Sequence, residues 1–300
     1  NTHKGAVIAI GNFDGVHRGH QILIDRAKTM AERLNAPFGI LTFTPHPRQF
    51  FGGNDIEPFR LTSDHQKAIL FETLCAADFT CFSPFDKELA SLSAQDFIQQ
   101  MLRDGAQVKG IVVGHDFCFG AKRQGTTQTL STCGDFETEI IPALSDENKT
   151  IYSSSEIRHA LRRGDLKSAN ALLGHEWEIE GTVVHGDKRG RELGYPTANM
   201  LLGEYLCPAT GIYATFVKIE GENNWQQAAT NIGIRPMFQA KEPLVETYLF
   251  DFDGDLYGKT LTVRPVQFLR GEAKFDSLDA LTAQMAKDCE QARNILQNYS

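Results

Sequence analysis

The chain lacks the features that would tie it to a zinc scaffold, a bilayer or a nucleic-acid groove. Its six cysteines are Cys75, Cys81, Cys118, Cys133, Cys207 and Cys289. They form no Cys-x-x-Cys pair, and no Cys/His spacing suits structural zinc. Buried free thiols in a reducing compartment are expected. No apolar run is long enough to span a membrane. No signal peptide is legible, although the chain begins at Asn1 without Met. The expectation is a soluble cytoplasmic protein with no membrane partner. Basic charge is also short: 30 Lys and Arg against 38 Asp and Glu leave a net charge of -8. That balance argues against gripping nucleic acid. There is no internal repeat, no low-complexity tract and no Walker-type Gly-Lys-Ser/Thr.

What is present is an ordinary globular composition, 41% hydrophobic and 23% charged over 300 residues, enough for two domains. Positive charge gathers locally at Lys122 and Arg123, at Arg158, Arg162 and Arg163, and at Lys188, Arg189 and Arg191. Such spots on an acidic chain suit small anionic ligands, or are a solvated face. The oligomeric state stays open between a monomer and a weak homo-oligomer.

The first half alternates strand and helix patterns. Val7 to Phe13 reads as a buried strand, His20 to Leu34 as a helix, and Phe38 to Phe43 as a strand. Thr62 to Leu74 reads as a helix, Ser93 to Asp96 as a capping box, and Gly110 to Gly114 as a strand. Repeated units of this kind imply an α/β fold with a parallel sheet and right-handed crossovers. Two short helices follow, Ser155 to Arg163 and Asp165 to Leu173, with Gly164 and Gly174 as stops. Beyond Gly174 short β segments take over: Glu178 to Val184, Gly211 to Ile219, Val245 to Phe250 and Leu261 to Leu269. Asp251 to Gly258 reads as a hairpin connection. A last helix, capped by Ser277, carries Leu278, Leu281, Met285 and Ala292 on one side. Two domains are expected, 1–174 and 175–300, the second a small β-barrel or sandwich with one terminal helix.

Each half carries a glycine-rich, phosphate-handling pattern. In GNFDGVHRGH, Gly11 to His20, two histidines stand three apart where a helix begins, on one face of its first turn. A helix start offers free N–H groups and a positive dipole end, and Gly11, Gly15 and Gly19 allow close approach. The pair can bind phosphate and stabilise charge at phosphorus; metal ligation and simple capping are the alternatives. His46, between prolines, sits in an extended loop after the next strand. Ser153 with Glu156 is a capping box, which alone explains the serines of SSSEIR. Arg158 conflicts with the dipole of that helix start unless an anion lies nearby.

In the second half, Gly186, Gly190 and Gly194 suit a phosphate loop, and Pro196 stiffens the chain before Thr197. If Thr197 to Asn199 is extended, both side chains point to one face. Hydroxyl and amide oxygens are hard ligands suited to Mg²⁺ bridging ATP phosphates. A turn followed by an edge strand is the plainer alternative. Glu246 shares a strand face with Tyr248 and Phe250 and is a candidate general base for a hydroxyl; an exposed strand face would equally accept it.

Four segments in order, GNFDGVHRGH, TFTPHPRQFF, VVGHDFCFG and SSSEIRHAL, resemble the adenylyltransferase half of the prokaryotic bifunctional riboflavin kinase/FAD synthetase family. From Gly181 onward, GYPTAN, GIYATFV, NIGIRPMF, VETYLFDFDGDLYGKTLTV and FLRGEAKFDSLDAL resemble its riboflavin kinase module. The resemblance implies a Rossmann-like HxGH nucleotidyltransferase domain, then a six-stranded Greek-key barrel with a C-terminal helix. It implies phosphorylation of riboflavin to FMN, then adenylylation of FMN to FAD with loss of pyrophosphate. It places Gly11, Asn12, Phe13, His17 and His20 on ATP, with Ser154, Ser155 and Arg158 closing over the triphosphate. His46 would stand near the reacting groups, and Asp116, Phe117 and Arg123 on the flavin side. Gly186, Gly190, Thr197 and Asn199 would hold Mg²⁺-ATP in the second half. Glu246 would deprotonate the ribityl hydroxyl, and Arg270 would lie in a loop over flavin.

Four positions depart from the family pattern in the first half: Ala121 for glycine, Thr126 for aspartate, Tyr152 for an aliphatic residue and Ser155 for threonine. Met237 stands for threonine in the second. Ala121 and Thr126 raise an alternative, a kinase with a weakened adenylyltransferase. A flavin-binding regulator without catalysis is a further alternative, disfavoured by the full set His17, His20, Thr197, Asn199 and Glu246.

Overall fold

A computed structural model describes residues 3–53, 56–186, 194–234 and 243–299. The chain forms two compact units, Asn1–Ile56 with Asp64–Ser153, and Glu57–Ser63 with Ser154–Ser300.

In the first unit the elements are β1 (Val7–Ile10), α1 (Arg18–Arg33), β2 (Phe38–Thr44), α2 (Pro47–Gly52), α3 (Asp64–Thr73) and β3 (Phe79–Pro84). Then come α4 (Lys87–Ser91), α5 (Ala94–Asp96), β4 (Gly110–Gly114), β5 (Cys118–Phe119), β6 (Gly125–Thr126), α6 (Thr127–Ser131) and β7 (Glu137–Ile141). Five strands form one parallel sheet in the order β3-β2-β1-β4-β7. The chain moves from β1 to β2 and β3 on one side, then returns to β4 on the other. β1 and β4 therefore flank a switch point, where ligands bind beyond strand C-termini. Alternation along β1 divides the core. Val7 and Ala9 pack with Leu23, Ala27 and Met30 of α1. Ile8 and Ile10 pack on the opposite face with Phe97, Leu102 and Val113.

Ser93 does cap a helix, accepting from Asp96 N at 3.0 Å, but after α5 the coil widens into a π-helix over Phe97–Gly105. The strand expected over Val7 to Phe13 stops at Ile10, because Phe13 turns left-handed (φ 50) and buries its ring.

The second unit contains α7 (Ser154–Arg162), α8 (Leu166–Leu173), β8 (Ile179–Thr182), β9 (Ala198–Leu201), β10 (Gly211–Ile219), β11 (Trp225–Ile234), β12 (Pro243–Leu249), β13 (Thr260–Gly271) and α9 (Leu278–Gln297). Gly174 ends α8 in the left-handed conformation expected of a C-terminal stop, at φ 78. The six strands run antiparallel in the order β8-β13-β10-β11-β12-β9. Val184, just past β8, donates to Asn199 O in β9 at 2.8 Å, so the two edge strands meet and the barrel nearly closes. The segment Glu57–Ser63 belongs to this unit: Arg60 N donates to Glu204 O, Leu206 N to Arg60 O, and the buried Trp177 ring to Leu61 O.

Three expectations are corrected here. Asp251 to Gly258 is not a hairpin turn, because β12 pairs with β11 and β9 whereas β13 pairs with β10 and β8. On α9 the expected side holds from Leu281 and Met285, half-buried, to the buried Ala292, and continues through Asp288 and Leu296, but Leu278, at the helix start, is 67% exposed. Of the six thiols only Cys75 is buried, and Cys81 is exposed.

Candidate active sites

The first constellation grows from the C-terminal end of β1. Phe13, Gly15 and Val16 all take positive φ, which coils the chain tightly before α1. His17 then caps the helix, its Nδ1 accepting from His20 N at 3.3 Å. The two imidazoles stack, centroids 3.5 Å apart, and the edge of His20 meets Phe13 at 5.2 Å. Gly19 has a steric reason: a Cβ there would lie 3.1 Å from Tyr152 Cβ and 3.2 Å from the His17 ring. The helix begins at Arg18, so His17 lies at its positive end, where a phosphate is favoured.

Beneath this loop lies a buried cation that sequence reasoning missed. Lys67 of α3 is 1% exposed. Its Nζ stands 3.1 Å from Asp64 Oδ1, 3.5 Å from Asn12 O and 5.4 Å from the Phe82 ring centre. Burying an ammonium without such partners would cost several kcal/mol. Thr42 also donates to Asn12 O, at 3.2 Å, and Thr44 donates to Asp64. The main chain of Asn12 is thereby held from both sides while its side chain faces solvent. A signal was available: Lys67 and Phe71 are four apart in a helix, so one apolar face carries a lysine.

Other candidates follow the neighbouring strands at the same edge of the sheet. His46 has the extended backbone expected (φ -56, ψ 134) and caps α2, which begins at the next residue, its Nδ1 accepting from Arg48 N at 3.0 Å. In α2, Phe50 and Phe51 pack edge-on with Phe85, centroids 5.2–5.7 Å apart, and Phe51 is 70% exposed. Asp116 and Phe117 follow β4; Phe117 stacks on Phe119 at 5.7 Å. Arg123 is exposed on a short 3-10 turn, with φ 58. Ser154, Ser155 and Arg158 lie in α7 of the second unit. Arg158 is in the second turn, where Nε donates to Phe59 O at 2.8 Å and the guanidinium lies over the Phe59 ring. That contact answers part of the dipole conflict.

The second constellation is a row across three strands. Asn199 of β9 is opposite Glu246 of β12, which is opposite Asn231 of β11. Asn199 and Glu246 are each 8% exposed, so the exposed-face explanation for Glu246 fails. Asn231 Nδ2 donates to Glu246 Oε2 at 3.2 Å. Asn199 Nδ2 donates to Thr197 O at 3.0 Å and lies 3.5 Å from Thr197 Oγ1, so the two side chains do share a face. Tyr248, next along that face, touches Tyr195 and Phe250. The helix α9 packs beside them, through Ala292 and Leu296 against Phe250 and Ala214.

Gly186 closes against the row: a Cβ would stand 2.7 Å from the Asn199 amide. Arg270 is in strand β13 rather than a loop, and its guanidinium grips Asp288 of α9 at 2.6–3.1 Å. Gly190, Lys188, Arg189, Arg191 and Met237 lie outside the described residues. No group of three or more His, Cys, Asp or Glu among the described residues could hold a metal. A hydroxyl and an amide oxygen still fit Mg²⁺, which takes few protein ligands and keeps waters and substrate phosphates.

Comparison with known proteins decides the family. A model of FAD synthetase matches residues 1–155 and a model of riboflavin kinase matches residues 173–296. The bifunctional riboflavin kinase/FMN adenylyltransferase of Bacillus subtilis strain 168 is 38% identical over 299 residues, covering 98% of this chain and 93% of its own. That of Escherichia coli K12 is 38% identical over 287 residues, covering 95% and 91%. The chain belongs to the bifunctional riboflavin kinase/FMN adenylyltransferase family. A crystal structure named as a macrolide-efflux protein of Streptococcus pneumoniae also superposes, with TM-score 0.84 and 32% identity, covering 100% of this chain and 96% of that one. Among the described residues of this chain, no helix is long and apolar enough to cross a membrane.

Against the family pattern, two departures lose their force. Ala121 follows Gly120, and it is Gly120 that takes the positive φ, 70. Thr126 caps α6, its hydroxyl accepting from Thr129 N, as an aspartate there would.

Proposed function

We propose that the two reactions of the family are divided between the two constellations. The chain is a riboflavin kinase and an FMN adenylyltransferase, using ATP in both steps. The observation that carries the division is their separation: His17 and His20 lie wholly in the first unit, and Asn199 and Glu246 wholly in the second. The adenylylating domain is taken as 1–174 and the kinase domain as 175–300. By sequence α7 and α8 fall in the former; by packing they belong with the latter.

In adenylyl transfer the FMN phosphate attacks the α-phosphorus of ATP and pyrophosphate leaves. His17 and His20 donate to the phosphates as charge builds there, with the N–H groups of α1 behind them. Gly11, Asn12 and Phe13 form the loop under the nucleotide, and Lys67 adds a fixed positive field below Asn12. Ser154, Ser155 and Arg158 are assigned to the same ATP on the match of their motif. The exposed face of Phe51 offers a stacking surface for the isoalloxazine, with Asp116, Phe117 and Arg123 on the flavin side. His46 orients the reacting groups.

In phosphorylation Glu246 takes the proton from the ribityl hydroxyl, which attacks the γ-phosphorus of ATP. Thr197 and Asn199 are the residues that would hold Mg²⁺, and the ion would neutralise phosphate charge. Gly186 leaves room for Asn199, and Tyr248 walls the site. Arg270 acts through Asp288, fixing α9 beside the same strand face. The proposed setting is the cytoplasm, where six free thiols are at home.

The experiment follows products from purified protein with riboflavin, Mg²⁺ and saturating ATP. FMN appears first and FAD then replaces it. FMN accumulating with no FAD would favour the weakened adenylyltransferase. A second variant tests the kinase geometry. Gly186→Ala must displace the Asn199 amide, and a shift of about 1 Å costs on the order of 100-fold in rate. FMN formation should fall by about that factor, with FAD formation from supplied FMN unchanged.

A further inference from the structure

Tyr152 has no part in the chemistry set out so far, yet it stands against the loop that would hold ATP in the first unit. Its main chain is pinned: Tyr152 N donates to Leu144 O at 2.9 Å, and Ile151 before it bridges to Ser145. The side chain is thereby set beside Gly19, the second residue of α1. A Cβ on Gly19 would lie 3.1 Å from Tyr152 Cβ and 3.2 Å from His17 Nδ1, so the tyrosine and the histidine flank one point of the first turn. The ring is half-buried. Its hydroxyl has no hydrogen-bond partner among the described residues, and it is not shut away from solvent. The aliphatic residue of the family pattern would cover Gly19 without bringing a polar group that needs a partner. The hydroxyl is therefore an addition that the packing does not call for, at the edge of a reactive loop.

We infer that Tyr152 is a further ATP-binding residue for FMN adenylylation: its phenol hydroxyl hydrogen-bonds the nucleotide held at the start of α1. The inference rests on His17, His20 and the first turn of α1 being the ATP site. It goes further in giving that nucleotide a contact from the segment that follows β7. A phenol donates to an anionic oxygen and accepts from an amine or a hydroxyl, and no protein group competes for this one. A contact made to ATP before and during the reaction alike lowers KM and leaves kcat where it was.

The decisive variant is Tyr152→Phe, which keeps the ring beside Gly19 and removes only the hydroxyl. In the full chain, the KM for ATP in FAD formation from supplied FMN should rise about 3- to 10-fold, the loss of one hydrogen bond, with kcat within about twofold. The KM for ATP in FMN formation, at the other site of the same molecule, should not move, and nor should the unfolding temperature. Tyr152→Val, which returns an aliphatic residue to the position, should raise the first KM at least as far. A wild-type KM for ATP in Tyr152→Phe overturns the inference. If only Tyr152→Val raises it, the ring and not the hydroxyl makes the contact, and the inference falls. If kcat, KM and unfolding temperature all change in Tyr152→Phe, the residue is structural and the inference falls again. If His20→Ala forms FAD at the wild-type rate, the assignment of ATP to the start of α1 itself fails and takes the inference with it.

Discussion

Glu246→Ala abolishes FMN formation while FAD formation from supplied FMN continues at the wild-type rate. The loss should reach at least about 100-fold, the lower range of what a positioned general base contributes. The carboxylate is 8% exposed, lies between Asn199 and Asn231 in strand register, and has a tyrosine beside it on the same face. Among the described residues no other carboxylate occupies that row to substitute for it. Removal leaves the Asn231 amide without its acceptor, which costs about 1–3 kcal/mol of stability. Glu246→Gln, similar in shape, separates that cost from the chemistry: it should be equally inactive yet unfold close to wild type.

His20→Ala does the reverse. FAD formation from FMN should fall by about 100- to 1,000-fold, the range lost when one preorganised donor to a developing oxyanion is removed. FMN formation should be unaffected. The fold is insulated from this change, because the contact that caps α1 runs from the main-chain N–H of residue 20 to His17 Nδ1. Alanine keeps that N–H and the helix. What disappears is a ring stacked on His17 and set edge-on to Phe13. His17→Ala is the less clean variant, since it removes the cap as well.

The parts of this molecule that follow local rules were legible in the sequence. Continuous apolar runs mark β1, β2 and β4, and helical spacing marks α1 and α3. Gly174 announces the end of α8 and Ser277 the start of α9. Both histidines and the Thr197–Asn199 pair were found because their neighbours in sequence are their neighbours in space. What was missed depends on contacts between distant segments. Lys67 gains its meaning only when Asn12 and Thr42 are brought to it by sheet order. Asn231 joins the site only through the β11–β12 register. Reading Asp251 to Gly258 as a hairpin failed for the same reason, because strand pairing across the barrel is set by tertiary order and not by the turn residues. The placement of Glu57–Ser63 in the second unit, through main-chain bonds to Glu204 and Leu206, has no local signature at all.

The central claim is that two separate sites work in sequence on one chain. It is tested most directly by mixing Glu246→Gln protein with His20→Ala protein and supplying riboflavin, ATP and Mg²⁺. The account predicts FMN but no FAD from His20→Ala alone, neither product from Glu246→Gln alone, and FAD from the mixture. Loss of both activities in either single variant, with no FAD from the mixture, would contradict it.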